Sequence, residues 1–279
     1  MEPTLLNLGC GAEVHPAFVN VDLIEAPGVV KHDLRQGIPY EDKTYDLVYH
    51  STMLSHLRPA DALTLTRDCY RVLKPGGILR IVTEDLEQMC RIYLQKLDAA
   101  FAGDSQSAYD YEWMVLELYD QATREKPGGA GMAEYLKQDP LPNEAFVLSR
   151  VGEQGRQMIA GVRAWQRGKQ CGQAAGIRGV LSRLRSGARR SLLVALFGSD
   201  APQAFEIGRF RVSSGQVSYR MYDRFSLRQL FANAGFTDVS VKTARESGYP
   251  CWNDVNLDLR SDGTEARPHT IIMEGRRAS

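Results

Sequence analysis

The run Leu6-Asn7-Leu8-Gly9-Cys10-Gly11 ends a short apolar stretch on two glycines. Glycines at the carboxyl end of a first strand leave the main chain bare, so a ligand can lie directly on it. A tight turn with no ligand uses the same residues, so the pair alone does not specify a site. Two acids stand near it in sequence. Asp22 closes the alternating run Phe18 to Leu23, and Asp33 follows the next run in His32-Asp33-Leu34. A carboxylate at the first position can accept two hydrogen bonds from a ribose diol. An acceptor at the second, with Leu34 beside it, can read an adenine amino edge while the leucine covers the ring. Either acid could instead serve as a cap or turn residue. Only 11 positions separate Gly11 from Asp22, whereas dinucleotide folds place the ribose acid about 20 residues on, behind a full helix. The Lys and Ser/Thr of a phosphate-binding loop are also missing. The pattern suits a nucleoside without phosphates.

Strand and helix signals alternate around these residues. Thr4 to Leu8, Phe18 to Leu23, Val29 to Leu34, Tyr45 to Tyr49 and Ile78 to Val82 predict five strands, the last after a Lys74-Pro75-Gly76-Gly77 stop. Ala60 to Leu73 predicts a helix, and Leu86, Met89, Cys90, Tyr93, Leu97 and Phe101 form a second helical stripe behind Asp85, which with Gln88 resembles a capping box. Ser226 with Gln229 predicts another helix start, Gly235 its end, and Thr237 to Thr243 and Thr270 to Glu274 two further strands. Short strands joined by helices imply a parallel α/β sheet. Residues 103–216 break the rhythm and read as a helical insertion, an acceptor lid or a surface-binding unit, between a core formed by 1–102 and 217–279.

Composition narrows the function classes. The chain has 279 residues, 43% of them hydrophobic, with 34 basic and 34 acidic side chains. That supports a packed core and excludes disorder as the main state. The longest apolar stretch, Leu192 to Phe197, is far short of the ~20 residues of a membrane span. No secretory leader is expected from Met-Glu-Pro-Thr. Five scattered cysteines with no C-x-x-C pair predict reduced thiols in a cytoplasmic protein, and no His/Cys/Asp cluster suggests a metal. Charge is uneven along the insertion: Gly103 to Ser149 holds nine acids and three bases, Arg150 to Ser199 ten bases and one acid. This predicts a specialised surface.

LLNLGCG, FVNVDL, HDLRQGIPYEDKTYDLVYHSTML and RVLKPGGILRIV together resemble the motifs of class I S-adenosylmethionine-dependent methyltransferases. MYDRFSLRQLFANAGF and ESGYPCWNDVNLDLRSDG are similar to small methyltransferases encoded beside glycan and secondary-metabolite biosynthesis genes. The resemblance covers residues 1–100 and 219–275. It implies a Rossmann-like seven-stranded sheet, mostly parallel with an antiparallel last strand, and S-adenosyl-L-methionine as cofactor. It places Gly9, Cys10 and Gly11 against the methionine part, Asp22 and Leu23 at the ribose, Asp33 and Leu34 at the adenine, and His50 and Ser51 at the far side. It implies methyl transfer to a small molecule or glycan, with a hydroxyl of a sugar or secondary metabolite as leading acceptor. Glu13 stands where a third glycine is usual, and Thr83-Glu84-Asp85-Leu86-Glu87 where relatives read Pro-Asp-Leu-Glu.

A hydroxyl acceptor calls for a base. His56 is the first candidate, because imidazole titrates near neutral pH and His56 follows the strand ending at the pocket. A histidine satisfied inside a helix start would look the same. Asp85 and Tyr222 are alternatives, although Asp85 also reads as a helix cap. Trp252 and Tyr249 suit either an acceptor pocket or the core. Gly176 to Gly198 places apolar residues at helical spacing with five arginines largely opposite. It reads as a lid packed on the core, or as a peripheral contact with the inner face of an anionic membrane. Nucleic acid is the weakest of its readings, because no aromatics interleave the arginines. A homo-oligomer, an RNA or protein methyltransferase and a non-catalytic cofactor-binding partner subunit stay open as rivals.

Overall fold

Leu5–Leu8 and most of Tyr45–Ser51 are buried along their whole length, as expected of central parallel strands covered on both faces. The computed structural model describes residues 4–126, 129, 131–170, 189 and 191–279. Seven strands form one sheet: β1 Leu5–Leu8, β2 Phe18–Asp22, β3 Val29–Lys31, β4 Tyr45–Ser51, β5 Leu73–Glu84, β6 Thr237–Lys242 and β7 Thr270–Arg276. Their order is β3-β2-β1-β4-β5-β7-β6. β1 to β5 pair in parallel, and β7 is antiparallel to both its neighbours. This is the expected α/β sheet with one reversed final strand. Strand order turns back between β1 and β4, which puts a crevice at their carboxyl ends.

Helices α1 (Pro59–Val72) and α7 (Arg224–Asn233) cover one face. Ala62, Leu65, Leu227 and Phe231 pack there on Leu6, Val48 and Ile81. On the other face Leu5, Phe18, Leu47 and Tyr49 meet Ala244 and Trp252 from the connection between β6 and β7. Trp252 is 2% exposed, stacks on Tyr49 at 5.9 Å and donates from Nε1 to the Ala244 carbonyl, so it is a core residue. A third core joins α2 (Leu86–Phe101), α3 (Ser105–Thr123), α4 (Gly131–Tyr135) and α5 (Glu144–Gln170) through Met89, Trp113, Met132 and Val147. α6 spans Ala201–Ser213.

Several sequence expectations are corrected. Lys74 to Gly77 does not stop the chain but lies inside β5, because Arg277 pairs with it: Gly76 N–H donates to the Arg277 carbonyl and Arg277 N–H to that of Gly77. β3 ends at Lys31, and Asp33 then caps a 3-10 turn. The cap of α7 is Asp223, not Ser226; Ser226 is the reciprocal member of that capping box, its hydroxyl accepting from the Asp223 amide. Of the apolar stripe on α2, Met89 alone is fully buried, and Phe101 is 92% exposed. The acidic and basic tracts partly neutralise each other, through Arg150 with Glu117 and Arg163 with Glu144. Residues 176–188 and 190 of the amphipathic stretch lie outside the described residues. Within the described residues no helix is long and apolar enough to cross a membrane.

Candidate functional site

Gly9 and Gly11 have φ of +62° and +54°, the left-handed region where a side chain is strained. Gly9 N–H donates to the Val21 carbonyl at 2.8 Å, tying the turn to β2. A Cβ on Gly9 would stand 2.6 Å from Met53 Sδ, whereas one on Gly11 would meet nothing within 4 Å. The turn is thus closed on the Met53 side and open at Gly11. Asp22 ends β2 beside it. One carboxylate oxygen accepts from Gly11 N–H at 2.9 Å and the other from Ile24 N–H at 2.9 Å. Each oxygen keeps a lone pair for a ligand hydroxyl. Leu23, next along, is 53% exposed. The Cys10 thiol is buried, and burial together with the Asp22 charge pushes its pKa up, so it stays protonated.

Asp33 lies at the neighbouring rim position, after β3. Its carboxylate accepts from Arg35 Nε at 2.9 Å and Nη2 at 2.7 Å, and the Arg35 guanidinium holds its pKa below the usual carboxylate value. Leu34 packs partly against the core. Asp22 and Asp33 therefore flank one edge of the crevice, at the ends of adjacent connections.

On the opposite edge β4 ends in His50 and Ser51. His50 is fully buried with neither ring nitrogen hydrogen-bonded, and burial lowers its pKa to about 4. Its ring faces the α1 side of the sheet, between the Leu8 and Ile81 rungs. The Ser51 hydroxyl is enclosed as well. His56 follows on a 3-10 turn at Leu54–His56, half-buried, with Nδ1 3.2 Å from the Val217 carbonyl. A carbonyl only accepts, so Nδ1 is the donor in this contact and Nε2 is the nitrogen that it leaves unengaged. Tyr219 N–H donates to the Ser55 carbonyl at 2.8 Å, so residues 217–219 brace this turn.

Asp85 caps α2, accepting from Gln88 N–H at 3.2 Å, and burial raises its pKa. Tyr222 bridges to it by backbone, its carbonyl accepting from Leu86 N–H at 2.8 Å. The Tyr222 ring is 2% exposed, burial raises its pKa, and Arg220 lies over it at 5.2 Å. The structure therefore brings the glycine turn, Asp22, Asp33, Ser51 and His56 to one rim. It sets Asp85 and Tyr222 behind that rim as a helix start and a core residue. Among the described residues no group of His, Cys, Asp and Glu is arranged to hold a metal.

Residues 6–81, from β1 into β5, match a family model described as a methyltransferase domain. Over that stretch the chain is similar to a methyltransferase domain. The match implies S-adenosylmethionine as cofactor, and the matched strands β1 to β4 supply the crevice described above. Solved structures similar to it include the cyclase SpnF at 19% identity, over 30% of this chain and 40% of that one, with a TM-score of 0.24. The PH0226 protein from Pyrococcus horikoshii OT3 is 22% identical over 36% of this chain and 55% of that one, TM-score 0.28. A possible histamine N-methyltransferase from Thermotoga maritima is 13% identical over 99% of this chain and 83% of that one, TM-score 0.37. The chain thus spans about half the length, or less, of SpnF and PH0226. None of the curated proteins matches it.

Three residues at the methyltransferase rim escape sequence reasoning: Met53, which seals Gly9; Val217, which orients His56; and Arg267, whose Nη2 stands 3.8 Å from Glu13 Oε1. The last two reach the rim from 161 and 254 positions away along the chain, and no local spacing signals such a partner.

Proposed function

We propose that the chain transfers a methyl group from S-adenosylmethionine to a hydroxyl of a small molecule or glycan, a sugar or secondary metabolite. The observation that carries the reading is the open flank of Gly11 with the Asp22 carboxylate against it, at the point where strand order reverses. A bare backbone and an acid with spare lone pairs fit an adenosine that lacks phosphates. When bound, S-adenosylmethionine supplies a methyl on a sulfonium, whose S–C bond breaks as the new C–O bond forms, the electron pair staying on sulfur.

In this reading Gly9, Cys10 and Gly11 lie along the methionine part and Asp22 with Leu23 at the ribose. Asp33 with Leu34 takes the adenine, and the β4 end at His50 and Ser51 bounds the far side. His50 does so through its backbone and bulk, since its ring nitrogens are enclosed. His56 takes the acceptor proton on Nε2, the nitrogen its Val217 contact leaves unengaged. Asp85 and Tyr222 fix the start of α2 and the segment that follows the insertion, so they position the acceptor side. Holding donor and acceptor in near-attack geometry supplies most of the rate of such a displacement.

The test is a methyl-transfer screen of purified protein with isotope-labelled S-adenosylmethionine against sugars and hydroxylated metabolites, read by mass spectrometry. A labelled O-methyl product, lost in His56→Ala at neutral pH while cofactor binding persists, supports the reading. Label appearing on RNA or on an amine, and on no hydroxyl, overturns it.

A further inference from the structure

We propose that a cavity beside the rim, between the sheet and the β6–β7 connection, is a subsite for an anionic head group of the acceptor, a carboxylate or a phosphate. The proposal deepens the methyl-transfer reading and rests on it. The cavity measures about 220 Å³ and is bounded by Val82 at the end of β5, Thr270 at the start of β7 and Gln88 on the first turns of α2. Pockets for whole drug-sized ligands run to about 300–1,000 Å³, so this one suits a head group better than an entire acceptor.

Its walls carry two cations that lack close partners. The Lys242 side chain makes no hydrogen bond or ion pair among the described residues, and the residue shares a rung with Ile272 and, through it, Val82. Arg267 is only 17% exposed in its side chain, and its single ion pair among the described residues, with Glu13, is 3.8 Å long. A largely buried guanidinium without a bonded anion is costly, and its planar fork matches a carboxylate or phosphate in bidentate fashion.

Two acids also line the cavity. Asp258 is already committed, one oxygen accepting from Tyr49 Oη at 2.7 Å and the other from Arg80 Nε at 2.8 Å. Glu265 is exposed and solvated. The groups left to bind a ligand are therefore chiefly cationic. In strand order β5 lies two places from β1 and β6 four, so at ~4.8 Å per strand the cavity runs from about 10 Å to about 19 Å from the glycine turn. That spacing lets one molecule put its hydroxyl over β4 and its acid in the cavity.

The test is calorimetry on the full chain saturated with S-adenosylhomocysteine, titrated with glucuronate, glucose 6-phosphate and glucose. The expected result is binding of an acidic sugar at least ten-fold tighter than glucose, weakened ten-fold or more in Arg267→Gln and in Lys242→Gln, with S-adenosylhomocysteine affinity unchanged. The two acids separate carboxylate from phosphate. Lys242→Gln removes no internal bond and keeps the test valid if Arg267→Gln unfolds. Equal affinity for glucose, no binding of either acid, or no effect of Lys242→Gln overturns the proposal. So does a loss of S-adenosylhomocysteine affinity in a folded Arg267→Gln, which would give the cavity to the cofactor. Failure of the wild type to bind S-adenosylhomocysteine at all is separate, and counts against the methyl-transfer reading.

Discussion

Asp22 accepts from the amides of Gly11 and Ile24, so removing its carboxylate loosens the turn and also takes away the proposed ribose partner. Losing a bonded partner of this kind costs about 1–3 kcal/mol. Asp22→Ala should therefore weaken S-adenosylhomocysteine binding by roughly 5- to 150-fold in calorimetry. Unchanged affinity in a folded variant would make Asp22 a turn residue and nothing more. His50 makes a different prediction. Burial sets its folded pKa at about 4, below the ~6.5 of an unfolded histidine. The unfolded chain then binds more protons between those values. The stability is fully present above about pH 6.5 and is lost as pH falls towards 4, on the order of 3 kcal/mol in all. In thermal unfolding, His50→Leu should lose less stability than the wild type on acidification over that window. Parallel pH curves would contradict the assignment.

At the scale of elements, the buried Arg150–Glu117 pair clamps α5 to α3 within residues 103–216, and Arg150 also reaches α2 through Gln88. Arg150 on α5 donates to Glu117 on α3 and to the Gln88 side chain on α2, and Trp113 Nε1 donates to Glu117 at 2.6 Å. Removing one member of a buried pair leaves the other charge uncompensated, at about 3–5 kcal/mol. Glu117→Gln should lower unfolding free energy by that amount in denaturant titration, and a change under about 0.5 kcal/mol would refute the clamp. This pairing also shows what sequence patterning can reach. Short apolar and alternating runs mark all seven strands, although the Lys74-to-Gly77 stop falls inside β5, and Asp85 reads correctly as a cap, because those signals are local. Ser226 reads as a cap because it opens an S-x-x-Q pattern, while Asp223 three residues earlier outcompetes it with two backbone amides. Charge counts along the insertion could not show that Arg150 and Arg163 turn back onto Glu117 and Glu144. Arg80 is a long-range partner with a local clue. An arginine inside a buried strand must be paired, and here it meets Asp258, Glu274 and the Trp252 ring.

Taken as a whole, the molecule builds a methyltransferase sheet whose reversal point carries the glycine turn and both rim acids. Only a short loop joins β1 to β2, which is why the spacing from Gly11 to Asp22 is short and why a phosphate-free nucleoside fits. The β6–β7 connection, whose Trp252 anchors it beneath Tyr49, covers one face and brings Arg267 to the same rim. The crevice is thus matched to one ligand class, adenosine carrying a sulfur side chain and no phosphate. Calorimetry of the purified chain with S-adenosylhomocysteine, with NAD and ATP titrated alongside, tests it most directly. Saturable one-site binding of S-adenosylhomocysteine and none of either phosphate-bearing nucleotide is expected; binding of NAD or ATP, with no heat from S-adenosylhomocysteine, would rule this ligand class out.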